Sequence, residues 1–175
     1  RRCGICLSDP TIYEAFTYYE REVLPYKNDD TINAKAMPGA HAALQAVQDA
    51  GLRCALFTNP SFPQGAIECR MGWGELTDAP FELVTHMGNA TRCKPDATYY
   101  LEQLQVMGLE PHEVLMVGND PKRDFPSPDC GIQTAYVGQG KPGRATWRGT
   151  MEDFARNFNA VVEAFYEHQV ANELS

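Results

Sequence analysis

Val114-Leu115-Met116-Val117-Gly118-Asn119-Asp120-Pro121-Lys122-Arg123-Asp124 is an apolar run that stops at a glycine and then delivers two carboxylates. Four consecutive apolar residues predict a strand covered on both faces, as in the middle of a parallel sheet. Gly118 ends it, so Asn119 and Asp120 fall at the carboxyl end of the strand, where open α/β sheets hold their ligands. If a helical turn follows, Asp120 and Asp124 at i,i+4 point the same way. Two carboxylates at a strand tip suit Mg²⁺, which binds through one or two carboxylates and keeps waters for its substrate. The same residues also read as a polar turn in which one aspartate caps a helix, and the stretch alone leaves both readings open.

Working outward, Ile132 to Val137 is the last predicted strand, and residues 138–150 read as a long irregular loop whose Lys141, Arg144 and Arg148 are solvated. Thr150 with Asp153 resembles a capping box, opening a C-terminal helix with Phe154, Phe158, Val161, Val162 and Phe165 on one face. Upstream, a helix is predicted from Pro95 to Met107, with Tyr99, Tyr100, Leu101, Leu104 and Met107 as its apolar side, closed by Gly108. Lys94 stands just before it, where helix dipole and backbone donors already favour anions and an ammonium adds a point charge. A solvated surface lysine is the plain alternative.

Phe81 to His86 is a further strand, and residues 63–73 a helix. Cys54 to Phe57 is a short strand ending in Thr58-Asn59-Pro60-Ser61. A hydroxyl followed by backbone N–H groups in a turn can hold a phosphoryl oxygen, although a plain Ser/Thr turn has the same composition. Ala40 to Ala50 is helical, stopped by Gly51. Ser8 or Asp9 before Pro10 starts a helix in which Ile12, Phe16, Tyr19 and Val23 form a packing face up to about Leu24. Strand and helix thus alternate from Ala40 onward. The expected fold is α/β, a Rossmann-like parallel sheet with helices on both faces.

The chain has 175 residues, ample for one core, and a formal charge of −8 at pH 7. That balance gives no general attraction to nucleic acid or to anionic membrane, so an anionic substrate needs local groups to hold it. No apolar run approaches a membrane span, and Arg1 to Pro10 lacks the apolar core of a signal peptide. A soluble cytoplasmic protein is expected. The six cysteines are scattered; Cys3 and Cys6 form a C-x-x-C without a second pair, and reduced bystander thiols are the reading adopted. His86 and the paired Asp29 and Asp30 read as bystanders.

A hydroxyl, a lysine and an aspartate pair, in that order at successive strand ends, resemble the haloacid-dehalogenase-like hydrolases, mostly Mg²⁺-dependent phosphatases. Leu56-Phe57-Thr58-Asn59 looks like that family's second motif, Cys93-Lys94-Pro95-Asp96 like its third, and Val117 to Asp124 like its fourth. The resemblance covers roughly residues 38–138, and its wording is nearest to the flavin-mononucleotide-phosphatase-like branch. It implies that Thr58 and Asn59 hold the phosphoryl group, that Lys94 steadies nucleophile and phosphate, and that Asp120 and Asp124 bind or orient Mg²⁺. It also implies that residues 4–37 belong to a helical cap and 38–175 to the α/β core, with specificity in cap side chains such as Tyr18 or Tyr19.

The resemblance departs at one place. The family's first motif is Asp-x-Asp at a strand end, its first Asp attacking phosphorus, and no aspartate here has another two positions on. Asp9-Pro10-Thr11 is the nearest substitute, and it reads as a helix cap. The motif and its strand are therefore expected upstream of Arg1. Two functions follow: a phosphatase of a small phosphorylated metabolite working through an aspartyl-phosphate, or a non-catalytic relative that binds a phosphorylated ligand or a protein. A dehalogenase finds no halide pocket in the residues.

Overall fold

The computed structural model describes residues 9–30, 32–140 and 144–173, so Cys3, Cys6 and Lys141 lie outside the described residues. In chain order the elements are α1 (Pro10–Tyr18), α2 (Ala40–Asp49), β1 (Ala55–Leu56), α3 (Gln64–Trp73), β2 (Leu83–Val84), α4 (Ala97–Met107), β3 (Leu115–Gly118), β4 (Gln133–Val137), β5 (Trp147–Gly149), α5 (Met151–Arg156) and α6 (Phe158–Glu173). The chain divides into two units: residues up to Ala36 with Phe62–Asp78, and Met37–Ser61 with Ala79 onward.

In the smaller unit α1 starts as its residues dictate. Asp9 is the N-cap, its carboxylate accepting from the N–H groups of Thr11 at 2.9 Å and Ile12 at 3.4 Å, with Pro10 behind it. The helix ends at Tyr18 rather than near Leu24, passing into a π turn over Tyr19–Val23 and a 3-10 turn over Leu24–Lys27. A π turn holds more residues per turn than an α-helix, so Tyr19 and Val23 do not continue the face begun by Ile12 and Phe16. Pro25, without an N–H, then ends α-type bonding. The expected packing face is accordingly open: α1 buries no residue, and Phe16 and Tyr19 are 49% and 45% exposed. Ala66 and Ile67 of α3 are the buried residues of that helix.

The larger unit is a parallel α/β core as expected, but the alternation is incomplete: α3, between β1 and β2 in the chain, belongs to the smaller unit, and a 3-10 turn over Pro128–Cys130, not an α-helix, lies between β3 and β4. Strands β1 and β2 pair in parallel, Ala55 beside Leu83 and Leu56 beside Val84. Strands β3, β4 and β5 form a second parallel group, with Val117 beside Ala135 and Ala135 beside Trp147. Side chains alternate along β3. Leu115 and Val117 pack with Ala43 of α2, Phe154 of α5, and Phe158 and Val161 of α6. Val114 and Met116 face the other way, onto Tyr99, Tyr100 and Leu104 of α4, which also cover Phe57 after β1. Helices therefore line both faces, and each fully buried large side chain contributes about 1.5–3 kcal/mol.

Four details differ from the sequence reading. Strand β4, and not β3, is buried along its whole length, because β3 pairs on one side only among the described residues. The segment 138–150 contains β5, a three-residue strand whose Trp147 is its one large apolar residue, too little for a period-2 signal. In that segment the Arg144 guanidinium is not simply solvated; it donates to the Pro126 carbonyl. The C-terminal helix is two, broken at Asn157 (φ −104°, ψ 19°), where α5 ends.

The capping box at α5 is present: the Thr150 hydroxyl donates to Asp153 Oδ2 at 2.8 Å, and Asp153 N–H donates back to Thr150 Oγ1 at 3.0 Å. These bonds from Thr150 hold the Asp153 carboxyl below the ordinary carboxylate range, with Arg156 assisting. A depressed folded pKa means stability present above the unfolded value of about 3.9 and lost as pH falls through the lower folded value. Asp153→Asn should therefore lower the melting temperature at pH 6, and the gap from the parent should narrow below pH 4. Thr150→Ala should cost about 1 kcal/mol, read by urea denaturation.

Candidate functional site

The predicted phosphate, lysine and aspartate groups all lie in the larger unit: Thr58 and Asn59 after β1, Lys94 between β2 and α4, and Asp120 and Asp124 after β3. Thr58 follows β1 by two residues. Its N–H donates to Thr85 Oγ1 at 2.7 Å and its own hydroxyl donates to the Thr85 carbonyl at 2.6 Å. Thr85, fully buried just past β2, has its oxygen 2.9 Å from the Tyr99 hydroxyl. Tyr99 in turn donates to the Thr58 carbonyl at 2.6 Å. Because the Tyr99 proton goes to that carbonyl, Thr85 donates to Tyr99. The result is a closed circuit: Thr58 N–H to Thr85, Thr85 to Tyr99, Tyr99 to Thr58 C=O. Asn59 beyond it is exposed, and its carbonyl takes the Ser61 N–H at 2.7 Å.

Lys94 is not a surface lysine. Its side chain is 10% exposed, and Nζ donates to Asp124 Oδ1 at 2.6 Å and to the Phe57 carbonyl at 2.9 Å. It lies farther from the helix start than its sequence position predicts, because α4 begins at Ala97 with Asp96 as N-cap. The helix terminus is thus stabilised by Asp96, and Lys94 is left to join the end of β1 to the loop after β3.

Asp124, 12% exposed in its side chain, is engaged on both oxygens. Oδ2 accepts the N–H groups of Asn119 at 3.0 Å and Asp120 at 2.9 Å, while Oδ1 takes Lys94. Gly118 makes this arrangement possible, since a Cβ there would stand 2.5 Å from Asp124 Cβ and 2.8 Å from Oδ2. The Tyr100 hydroxyl donates to the Asp124 carbonyl at 2.6 Å. Burial raises the Tyr99 and Tyr100 hydroxyls well above the ordinary tyrosine range, with Thr85 opposing the rise at Tyr99 and the Asp124 carboxylate adding to it at both. Both are neutral donors.

Asp120 sits differently. Its side chain is 45% exposed; Oδ1 accepts the Lys122 N–H at 3.0 Å and Oδ2 lies 3.6 Å from Arg123 Nε. A carboxylate has about four acceptor positions, so Asp120 keeps lone pairs for a ligand while Asp124 has one left. Among the described residues no three His, Cys, Asp or Glu side chains converge. The donor set is thus one open carboxylate with a second, largely engaged one behind it. It fits Mg²⁺, which uses one or two carboxylates and waters, and does not fit an all-protein cage.

Sequence reasoning named Thr58, Asn59, Lys94, Asp120 and Asp124; the structure brings Lys94 into contact with Asp124 and with the carbonyl preceding Thr58, and Asp124 into contact with the Asp120 N–H, while Asn59 is exposed and shows no bond to the others. It missed Thr85, Tyr99 and Tyr100. The two tyrosines read as part of an apolar helix face, and so they are; the available signal was that a buried tyrosine normally needs a partner for its hydroxyl. His86 takes part in a turn, its Nδ1 accepting the Gly88 N–H at 3.1 Å.

A family model described as a haloacid dehalogenase-like hydrolase matches residues 11–127. No curated protein sequence matches significantly. Among solved structures, β-phosphoglucomutase from Clostridium difficile superposes with a TM-score of 0.63 at 16% identity, over 77% of this chain and 58% of that one. A HAD phosphatase from Thermococcus onnurineus has a TM-score of 0.58 at 21% identity, over 69% and 57%. A HAD family hydrolase from Deinococcus radiodurans R1, solved with bound phosphate and sodium, has a TM-score of 0.58 at 20% identity, over 73% and 59%. The chain spans under two thirds of the length of each of these structures. At such identities the likeness is one of fold, a Rossmann-like α/β core.

Proposed function

The chain belongs to the haloacid dehalogenase-like hydrolase family, and from that premise we propose that it is part of a Mg²⁺-dependent phosphatase of a small phosphorylated metabolite. The observation that carries the reading is the meeting of three predicted groups in one unit: Lys94 Nζ lies 2.9 Å from the carbonyl preceding Thr58 and 2.6 Å from Asp124, whose carboxylate in turn holds the Asp120 N–H.

In this reading the phosphoryl group docks against Thr58, Asn59 and Lys94. Lys94, already aimed by two acceptors, gives a fixed positive charge that needs no reorganisation as charge develops on the phosphoryl oxygens. Asp120 holds Mg²⁺, and Asp124 fixes Lys94 and the 119–120 backbone. The metal supplies neutralisation of phosphate charge. The attacking carboxylate is assigned to an aspartate upstream of Arg1, since the Asp-x-Asp spacing of the family's first motif does not occur in this sequence. Support for that assignment comes from the sheet. Among the described residues β1 pairs only with β2 and β3 only with β4, while Phe57 and Met116 cover the same α4 tyrosines. A strand between β1 and β3 would complete the sheet and carry the nucleophile at its tip. Residues 4–37 are read as part of a helical cap. An acidic chain with free thiols at Cys54, Cys69, Cys93 and Cys130 fits a cytoplasmic enzyme of small molecules and not of nucleic acid. No described helix is long and apolar enough to cross a membrane.

The test is hydrolysis of p-nitrophenyl phosphate by the protein including the residues upstream of Arg1. Turnover should appear with Mg²⁺, vanish on chelation, and leave a phosphoryl group on an aspartate when quenched in acid. Turnover indifferent to chelation would overturn the metal assignment. Saturable phosphate binding without any turnover would favour a non-catalytic relative.

A further inference from the structure

We infer that Tyr99 and Tyr100, adjacent in α4, are positioning residues that each hold one half of the site by its backbone: Tyr99 the phosphate-facing end of β1, Tyr100 the acidic loop after β3. What the two halves do rests on the phosphatase reading; the brace itself does not.

Packing alone would not ask for tyrosine at either position. Both rings are fully buried and meet edge to face at 5.0 Å, with Phe57 edge-on to Tyr99 at 5.8 Å. Phenylalanine would fill the same space. A buried hydroxyl is unfavourable unless it is bonded, and it is worth retaining only where the bond does something. Here each goes to the main-chain carbonyl of a different site residue: Tyr99 to Thr58 at 2.6 Å and Tyr100 to Asp124 at 2.6 Å, with Arg123 a second, longer acceptor at 3.3 Å.

These two carbonyls belong to separate strand groups. Among the described residues no ladder joins the β1–β2 pair to β3–β4–β5; an upstream strand between them would pair along the strands and still leave the segments beyond their tips, which carry Thr58 and Asp120, to be placed by side chains. Any error in the placing of one group against the other would move Thr58 relative to Asp120. Residues 94–100 tie both groups by hydrogen bonds, beside the apolar packing of Phe57 and Met116 on the same tyrosines: Lys94 by its ammonium to Phe57 and Asp124, Tyr99 to Thr58, and Tyr100 to Asp124. Tyr99 closes the Thr58–Thr85 circuit, so its hydroxyl also fixes which way the Thr58 N–H and hydroxyl point. Both phenols stay protonated, since burial opposes their ionisation.

The experiment compares Tyr99→Phe and Tyr100→Phe with the parent by amide hydrogen exchange and by kinetics, in the protein including its upstream residues. Loss of one neutral hydrogen bond is worth about tenfold in an opening equilibrium. Tyr99→Phe should speed exchange of the Thr58 amide about tenfold and leave the Asp124 amide unchanged; Tyr100→Phe should do the reverse. The kinetic readout should split the same way. Tyr99→Phe raises KM for the phosphate ester and the inhibition constant of inorganic phosphate, whereas Tyr100→Phe raises the Mg²⁺ concentration for half-maximal rate. Thr85→Val, which breaks the same circuit at its other member, should reproduce the Tyr99→Phe pattern and covers the case in which a tyrosine variant folds poorly. Equal acceleration at both amides, or none at either, would overturn the brace. If the exchange pattern holds in a protein that hydrolyses no phosphate ester, the brace stands and the phosphatase reading falls.

Discussion

Lys94→Ala is expected to destabilise the protein by about 3–5 kcal/mol and to remove nearly all turnover. On sequence grounds a lysine beside a helix terminus would matter to an anion and little to folding. Its burial reverses that expectation. With Lys94 gone, the Asp124 carboxylate, 12% exposed, keeps only the two backbone N–H groups on Oδ2, and the Phe57 carbonyl loses its donor. An uncompensated buried charge is the costly half of a broken ion pair, more costly than the intact pair is stabilising. For a chain of this length the loss corresponds to a fall of roughly 10 °C in melting temperature. The variant pair separates the two roles. Lys94→Met keeps the apolar stem and should lose activity and stability alike. In the double variant Lys94→Met with Asp124→Leu, the stranded carboxylate is gone, so much of the stability should return while activity does not. If melts of Lys94→Ala matched the parent at lost turnover, the ammonium would be a ligand-facing charge only.

What could be read from the residues follows the strength of local signals. The parallel core was legible because Leu56-Phe57 and Val114 to Val117 are short apolar runs separated by helices with caps and glycine stops, and Ile132 to Val137, though it carries Gln133 and Thr134, is rich in strand-forming residues. Thr58, Lys94 and the aspartates were legible because each sits at the polar end of such an element. The open face of α1 was not, since an apolar stripe at helical spacing says that a face is apolar and not that something covers it. Strand β5 was missed because Trp147-Arg148-Gly149 has neither length nor alternation. The division of labour between the two aspartates was also out of reach: i,i+4 spacing places them on one side of a turn and says nothing about which carboxylate the Gly118 backbone allows to fold back against the strand.

That division leads to the sharpest contrast the site allows. Asp120→Asn should abolish Mg²⁺-dependent turnover, by roughly 10²–10³-fold or more, with the melting temperature nearly unchanged. The reason is exposure: its side chain is 45% exposed, its one close partner is the Lys122 N–H, and an amide oxygen can accept that bond as well. Asp124→Asn should do something else. The amide keeps an oxygen for the Asn119 and Asp120 N–H groups, but its nitrogen faces Lys94 Nζ, donor against donor, in a place with little water. The ammonium is left with the Phe57 carbonyl alone, so stability falls, and the metal-side loop loses the charge that orders it. Residues that orient a ligand typically change metal affinity or activity about 10–100-fold, so the Asp124 variant should retain a residual rate that higher Mg²⁺ partly restores, whereas the Asp120 variant should not respond. Thermal melts and Mg²⁺ titrations on the two proteins give four numbers. A stable Asp124→Asn with no metal response, beside an unstable Asp120→Asn, would exchange the two roles and sink the assignment of Asp120 as the metal ligand.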